Sequence, residues 1–367
     1  MPTTTEELEQ ALIAFRDNAD ALEKEFNIKG DVIPMSFIIN NGDQDPAILI
    51  NGFGEGYGDT GDHFAVTDEG EVIYTTVQEG YKEGIKWLHS LVEQDLVDPE
   101  AFTQEWSSYV AKGKNHRYGL CFTWDIANID NYEDYVMMPA LAGPDGLVNI
   151  TRQNGSETSG FDRGRCVLTT SCRDTALAAA WIDQMYAPLQ SPQNNWGTYG
   201  EKDADNIFEM STNAEGGPML KHLDLGDASP VEVRQAQSVN GPLAVLNDYY
   251  DVYVTQPDDA KWRLDNMHEV YLDDMHSKYV YPNVFMSIDD TNRVSQLDTD
   301  IKKYAEQKKA DWILNGGIDE EWDEYLQKME DYGLSEYLQI KQKYFDSYQE
   351  SLAELEAAGS ADDASGN

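Results

Sequence analysis

The order of strand-like and helix-like segments is the feature that most constrains how this chain can fold. In the first half, short apolar runs at 118–124 and 165–170 alternate with helical patterns such as the one at 174–186. From Trp262 onward, nearly every segment has apolar residues at helical spacing. Because strands that alternate with helices are typical of parallel or mixed sheets, the sequence predicts an α/β fold with a helical C-terminal cover.

Local signals predict where several of these elements begin. Thr4 and Glu7 fit the capping box S/T-x-x-E, which favours a helix start at that point. Residues 31–40 have the pattern of a strand, and Pro99 is typical of the first turn of a helix. The glycine-rich segment 52–61 predicts a turn-forming loop.

The charge of the chain excludes whole classes of partner. The 367 residues contain 68 Asp and Glu against 26 Lys and Arg, which gives a formal net charge of −42 at pH 7. A field of that sign repels phosphates, so nucleic acids are excluded as partners and anionic membrane surfaces are disfavoured. No run approaches the about 20 apolar residues of a membrane span. The first residues show no signal peptide.

No residue pattern of a cofactor, metal or nucleophile site stands out. The three cysteines have no metal-ligand spacing, and the six histidines form no motif such as H-E-x-x-H. Residues 56–61 match G-x-G-x-x-G, but they lead towards a strand rather than a helix, which favours a simple turn. We therefore predict no catalytic residue, no cofactor and no metal site. A glycosidase pair hidden among the 68 acidic residues stays open.

Aromatic side chains in loops are the remaining candidates for binding. Five of them lie in segments rich in Gly, Asp or Asn, or at a strand end, rather than on apolar helix faces. Flat rings of this kind stack on sugar rings, yet they also pack inside proteins, so the pattern leaves both interpretations open. The five residues are Phe53, Tyr57, Trp124, Trp196 and Tyr199.

Several segments, taken in order, resemble the family 1 extracellular solute-binding proteins, the sugar-binding components of ABC importers. The opening PTTTEEL at 2–8 is similar to the helix start of these proteins, and PALAGPDG at 139–146 is similar to their crossover segment. The other similar segments are 81–99, 112–124, 195–200, 316–325 and 337–348. The resemblance runs from Met1 to about Tyr348 and points to the maltose-binding-like, lipoprotein-like branch of the family.

The resemblance implies a periplasmic-binding-protein-like type II bilobal fold and a function in oligosaccharide uptake. A carbohydrate would lie between two lobes, held by aromatic stacking and hydrogen bonds, and would be delivered to the permease; such a protein is not an enzyme. By resemblance, Trp124 is the first ligand-binding candidate, followed by the other four loop aromatics, and Asp125 and Arg163 are the polar candidates. The resemblance also implies a monomer outside the cytoplasm, anchored as a cell-surface lipoprotein when full length.

The resemblance begins partway through the family's pattern. We therefore expect a C-terminal portion that lacks the signal peptide and much of the first lobe. In this interpretation 1–142 and 285–356 form the second lobe, 146–280 holds the crossover and the remainder of the first lobe, and 357–367 is a disordered tail. The calcium-binding loop of the family corresponds to 17–34. The regular series of acidic residues in that loop is interrupted in this sequence, so the resemblance implies no metal site here. Two alternatives stay open: a carbohydrate-active hydrolase that uses a carboxylate pair, and a truncated remnant that binds nothing.

Overall fold

A computed structural model describes most of the chain and divides it into two compact units. The described residues are 1–155, 166–200, 206–225, 233, 236–238 and 245–365. Unit 1 consists of Met1–Trp124, Met137–Phe161 and Glu269–Asn367, and unit 2 consists of Asp125–Val136 and Asp162–His268. The lobe boundaries expected from the sequence stay a prediction.

Helices are the commonest elements of the described residues. In chain order they are α1 (Thr5–Asp17), α2 (Ala19–Glu25), α3 (Glu79–Glu93), α4 (Trp106–Gly113), α5 (Thr175–Met185), α6 (Ser191–Trp196), α7 (Asp258–Tyr271), α8 (Ile288–Asn315), α9 (Ile318–Asp331) and α10 (Leu334–Ser365). The backbone of α10 continues into the stretch 357–367 that the sequence predicts as a tail. Among these helices, none combines the length and the apolar character that a membrane crossing needs.

The strands of the described residues form three short two-stranded sheets. They are β1 (Ile33–Met35), β2 (Phe64–Val66), β3 (Val72–Tyr74), β4 (Tyr118–Leu120), β5 (Phe208–Thr212) and β6 (Pro218–His222). β1 runs parallel to β4, with Ile33 opposite Tyr118 and Met35 opposite Leu120. β2 pairs antiparallel with β3, and β5 pairs antiparallel with β6. The pattern at 31–40 therefore marks a real strand but one of only three residues.

The first helix begins where the capping box predicts. Thr4 is the N-cap residue of α1, and its Oγ1 accepts a hydrogen bond of 3.1 Å from the Glu7 N–H. The return contact differs from the ideal box, because the Glu7 carboxylate accepts from the N–H of Thr3 at 2.8 Å rather than from that of Thr4. Leu8 and Leu12 follow on one face of the helix and are buried.

The helix predicted to begin at Pro99 begins later, at Trp106. The segment between them is held in turns by a buried side chain, which the helical spacing of the aromatics did not reveal. Gln104 donates from Nε2 to the Phe37 carbonyl at 2.7 Å and to Ser36 Oγ at 3.1 Å. These contacts tie the turn to the chain that follows β1, so helical hydrogen bonds start only after it.

The two units differ in how they bury apolar side chains. In unit 1, α3 packs against α8, and α10 packs against β3, around one continuous core that includes Trp312, Tyr325 and Phe345. In unit 2 the buried cluster of the described residues consists of Ile207, Phe208, Leu220 and Val254. Half-buried residues such as Trp196 and Tyr249 surround this small cluster.

Candidate functional site

Trp124 is the most open aromatic candidate in unit 1. It lies four residues after the end of β4, and its side chain is 60% exposed although it is one of the largest apolar groups in the chain. An exposed indole at the C-terminal side of a parallel strand has the position in which α/β proteins place ligands. The sequence-based expectation that Trp124 offers an open ring is therefore compatible with its placement.

Asp125, the next residue, carries a buried carboxylate in unit 2. Its Oδ2 accepts a hydrogen bond of 3.0 Å from Arg263 Nε, and its Oδ1 accepts one of 3.0 Å from the Ala127 N–H. Burial raises the pKa of Asp125, and the nearby Asp259 adds to that effect, while the Ala127 N–H and Arg263 oppose it. Arg263 was not predicted, because it is 138 residues away along the chain.

A second contact joins the same two elements of unit 2. Tyr132 and Trp262 place their ring centroids 5.8 Å apart at a tilt of 48°. Since Trp262 and Arg263 are neighbours on α7, this helix holds the segment Asp125–Val136 at both an ionic and an aromatic contact. The carboxylate of Asp125 therefore has a fixed position rather than a mobile one.

Trp196 and Tyr199 come together at the β5–β6 hairpin. The Trp196 ring lies 6.2 Å from that of Phe208 and 5.1 Å from that of His222, and its side chain is half-buried. Tyr199 forms a backbone bridge with Phe208, yet its side chain is 47% exposed. Trp196 therefore supports the hairpin, while Tyr199 presents an open ring beside it.

Phe53 is a core residue, which corrects its candidacy as a stacking platform. It is only 5% exposed, and its ring centroid lies 5.7 Å from that of Trp87 on α3. The cause is a close approach of the glycine-rich loop to the first turn of α3, where a Cβ on Gly54 would lie 2.6 Å from the Gly80 Cα. Gly54 also has a φ of +58°, so glycine is required there for two reasons.

Tyr57, from the same loop, is half-buried and borders a shallow depression in unit 1. Its hydroxyl accepts a hydrogen bond of 3.2 Å from the Asp68 N–H. The depression is also lined by Thr151, Arg152 and Tyr279 and has room for little more than a water molecule. Arg163, the last predicted site residue, lies outside the described residues.

Sequence reasoning also missed a buried ionic cluster in unit 1. Lys309 on α8 is almost fully buried and donates from Nζ to Asp45 Oδ1 at 2.7 Å and to Asp59 Oδ2 at 3.2 Å. Asp59 Oδ1 accepts from Thr75 Oγ1 at 2.7 Å and lies 2.8 Å from Nδ1 of the buried His63. The cluster is closed to solvent, so it fixes the loop that carries Tyr57 rather than binding a ligand itself.

We compared the chain with models of protein families and with curated proteins. No protein-family model matches the sequence. The chain is 45% identical over 350 residues to the fructooligosaccharide ABC transporter substrate-binding protein FusA of Streptococcus pneumoniae serotype 4. That match includes 95% of this chain but 63% of the relative, so the chain spans somewhat less than two thirds of the curated relative's length.

Solved structures of similar proteins support the same relationship. S. pneumoniae FusA in complex with kestose, and its EF-hand mutant in complex with fructo-nystose, each have a TM-score of 0.85 and 45% identity to this chain. Both alignments cover 96% of this chain and 69% of FusA. An HMO-binding solute-binding protein from Bifidobacterium longum infantis has a TM-score of 0.71 at 22% identity, with 95% of this chain and 70% of that one covered, which shows likeness of fold alone.

Proposed function

The chain belongs to the substrate-binding proteins of ABC transporters, and from that membership we propose that it captures an oligosaccharide of the fructooligosaccharide class and delivers it to the permease of an importer. The membership confirms the family predicted from the sequence. A TM-score of 0.85 to FusA likewise confirms the α/β, periplasmic-binding-protein-like fold class. Because the chain spans 63% of the curated relative, the activity of the whole relative comes to this chain as a proposal.

The observation that carries the proposal is the 45% identity to a protein solved with kestose and fructo-nystose. These ligands are neutral and rich in hydroxyl groups. A neutral ligand suits a chain of net charge −42, which would repel an acidic one. Exposed aromatic rings and a fixed carboxylate–guanidinium pair are the groups that bind such a ligand, by stacking and by hydrogen bonds to hydroxyls.

Each unit contributes candidates of its own to this proposal. In unit 1, Trp124 offers a side chain that is 60% exposed, and Tyr57 borders the shallow depression. In unit 2, Tyr199 offers an exposed ring, and Asp125, a buried carboxylate that Arg263 holds in place, is the polar candidate. Trp196 enters the proposal as the support of the hairpin beside Tyr199, and Phe53 does not enter it.

Titration calorimetry of the 367-residue chain with kestose and nystose tests the proposal, with maltotriose as the control sugar. We expect Trp124→Ala to weaken binding by about 1–3 kcal/mol, or about ten- to hundredfold. The exposed indole loses its water only when a sugar stacks on it, so its removal should lower the affinity for the sugar. Trp181→Ala is the matched control, since Trp181 is 63% exposed but lies on α5 in unit 2. A lower melting temperature for Trp124→Ala at unchanged affinity would mean that Trp124 is a packing residue.

The two alternatives from the sequence give different results in the same assays. A hydrolase would release sugar from a chromogenic glycoside panel and lose that activity in Asp125→Asn, since Asp125 is a carboxyl whose pKa burial raises above its ordinary value. We expect no turnover, because the relatives are substrate-binding proteins. A remnant would bind no sugar by itself, while a chimera that adds the unmatched part of FusA would bind.

The remaining parts of the proposal concern location and assembly. The chain works outside the cytoplasm as a monomer, and the full-length form is held at the cell surface as a lipoprotein, as the family pattern implies. Cell fractionation with a probe for lipid-modified cysteine tests the location. Analytical ultracentrifugation tests the monomer, and a dimer that forms only with sugar present would contradict it.

A further inference from the structure

His63 in unit 1 is a buried histidine that uses only one of its two ring nitrogens for a hydrogen bond. Its side chain is 3% exposed, and Nδ1 lies 2.8 Å from Asp59 Oδ1. Nε2 is buried and has no hydrogen-bond partner among the described residues. Because a carboxylate only accepts hydrogen bonds, Nδ1 carries the hydrogen of the neutral ring, and Nε2 is left as a bare acceptor. A buried acceptor of this kind lowers stability unless a donor meets it.

The backbone of His63 is held in an unusual conformation that places the ring there. Its φ is +57°, in the left-handed region that few residues other than glycine adopt. The His63 N–H donates to the Thr60 carbonyl at 3.0 Å, and the Thr75 N–H donates to the His63 carbonyl at 2.8 Å. Strained residues that their surroundings hold in place are concentrated at functional sites. The conformation therefore directs attention to what Nε2 does.

Nε2 lies close to a carboxylate on α8. Glu306 Oε1 is 4.0 Å from it, and the Glu306 side chain is 30% exposed, so Glu306 is the member of the pair that solvent reaches. The Glu306 carbonyl accepts a hydrogen bond of 3.0 Å from Asn40 Nδ2, which holds this turn of α8 in place. With a neutral ring, two acceptors lie opposite each other. A proton on Nε2 would turn them into a donor and an acceptor of opposite charge.

The other titratable groups around His63 decide whether a charge on the ring is favoured. They are Asp59 and Asp62 in its own loop, Tyr74 on β3, Tyr81 on α3, and Lys302, Glu306 and Lys309 on α8. Burial and the two ammonium groups oppose a positive ring, while the three carboxylates favour it. Burial raises the pKa of both tyrosine hydroxyls, so these groups stay neutral. The ring therefore has a carboxylate beside each of its nitrogens.

We propose that His63 and Glu306 form a proton-operated latch. When His63 takes up a proton, its Nε2–H donates to the Glu306 carboxylate and ties the end of the glycine-rich loop 52–61 to α8. When the ring is neutral, this bond is absent and the loop is held only through Asp59. Histidine is the side chain whose charge ordinarily changes between about pH 5 and pH 8. Since the loop also carries Tyr57, the latch sets how firmly that aromatic residue is held.

Ring-nitrogen NMR of the 367-residue chain, labelled with ¹⁵N in its histidines, tests the latch between about pH 8 and pH 5. His63→Asn identifies the His63 signals, since asparagine tolerates a positive φ. At the upper end of the range we expect a hydrogen on Nδ1 alone, and at the lower end a second one on Nε2. Amide exchange at 59–63, corrected for its intrinsic pH dependence, should slow by about tenfold over the range, because one charge-assisted hydrogen bond is added.

Glu306→Gln should reduce this slowing, because the acceptor loses its charge, and Glu306→Ala should abolish it. Asp300→Asn is the matched control, since it removes the same charge from an exposed position on α8 and should leave both signals unchanged. A bare Nε2 throughout the range would overturn the proposal, as would a hydrogen on Nε2 instead of Nδ1 at the upper end. Equal slowing in Glu306→Ala and in the unaltered chain would also overturn it. Sugar enters none of these measurements, so the result is independent of the proposed function.

Discussion

The two units differ in whether their most apolar segments are buried. Unit 1 buries its large side chains, among them Trp312, Tyr325 and Phe345, in one core shared by strands and helices that are far apart in sequence. Unit 2 buries four apolar residues beside its hairpin, while the most apolar of its helices, α5, stays exposed. Since burial of apolar surface is the main source of stability, the core of unit 1 should contribute more to stability than the four-residue cluster in the described part of unit 2.

The difference also extends to charge. Unit 1 encloses the ammonium of Lys309 between two carboxylates, an arrangement that tolerates no missing partner. In the described part of unit 2, the buried carboxylate of Asp125 is paired with Arg263. Among the described residues, a buried charge is thus held by two opposite charges in unit 1 and by one in unit 2.

The largest expected effect tests how far unit 1 depends on its ionic cluster. Lys309→Met should lower the free energy of unfolding by about 3–5 kcal/mol, because two buried carboxylates lose their counter-charge. Hydrogen exchange should show the loss in unit 1 and not at the β5–β6 hairpin. Lys303→Met, on the exposed side of the same helix, is the control. Adding Asp59→Asn to Lys309→Met should recover part of the loss, and no recovery would mean that packing rather than charge is responsible.

Acid should lower the stability of unit 1 more than that of unit 2, because of the same ionic cluster. Burial alone would raise the pKa of Asp59, but the attraction of His63 and Lys309 and the hydrogen bonds from His63 and Thr75 outweigh it, so the pKa is lowered. A lowered carboxyl pKa stabilises the fold above the unfolded value of about 3.9 and ceases to do so as pH falls towards the folded value.

Unit 1 should therefore lose stability as the pH drops below about 4. In Lys309→Met the decline should begin at a higher pH, and in Asp59→Asn it should be shallower. Unfolding in urea at a series of pH values measures this. Parallel pH profiles for all three proteins would exclude Asp59 as the source.

A smaller effect is expected when the N-cap residue of one helix in each unit is replaced. Thr4→Ala in unit 1 and Asp174→Ala in unit 2 each remove one N-cap hydrogen bond, at a cost of about 1 kcal/mol. The buried Leu8 and Leu12 should keep α1 helical, whereas α5 has no buried residue to hold it. An isolated helix of this length is marginal, so Asp174→Ala should abolish exchange protection in α5 alone. Equal persistence of both helices would show that α5 is better supported than its exposure indicates.

The smallest effect concerns a second lysine in unit 1. The Lys341 Nζ lies 4.2 Å from the ring centroid of Phe64, 5.0 Å from that of Tyr281 and 5.4 Å from that of Tyr337. Burial lowers the pKa of Lys341, although Asp298 and Asp62 oppose that effect. The partly buried ammonium therefore opposes folding at neutral pH, and this opposition disappears as pH rises past about 10.

Lys341→Met should change the free energy of unfolding by less than about 1 kcal/mol, because the lost attraction to the rings and the removed burial of charge offset each other. Thermal unfolding at pH 7 checks the size of the effect. The contrast with Lys309→Met would show that carboxylates, and not burial as such, make a lysine indispensable in unit 1. A loss as large as that of Lys309→Met would contradict this.

Local patterns in the sequence predicted the local features of both units. The capping box at Thr4 and Glu7 marked the start of α1, and the alanine-rich pattern at 174–186 marked α5 almost to the residue. The strand predicted at 165–170 lies partly outside the described residues, and 166–170 is not in a sheet. That prediction fails because a strand exists only where another strand pairs with it, which no local pattern records.

Contacts between distant residues could not be predicted in the same way. Arg263 and Lys309 find their carboxylates 138 and 264 residues away, among 68 acidic residues that look alike in sequence. Phe53 and Trp124 have similar loop-like surroundings, yet one is buried and the other is exposed. The close approach of Gly54 to Gly80 decides the first case, and it became visible only in three dimensions.

The division of unit 1 into separate stretches of chain affects the order in which the protein is made. Residues Met1–Trp124 leave the ribosome long before Glu269–Asn367, which supplies the helices that complete their core. The main stretch of unit 2, Asp162–His268, is finished in the interval. The opening third of the chain therefore waits without its native partners during synthesis, with apolar side chains that a holding chaperone can bind.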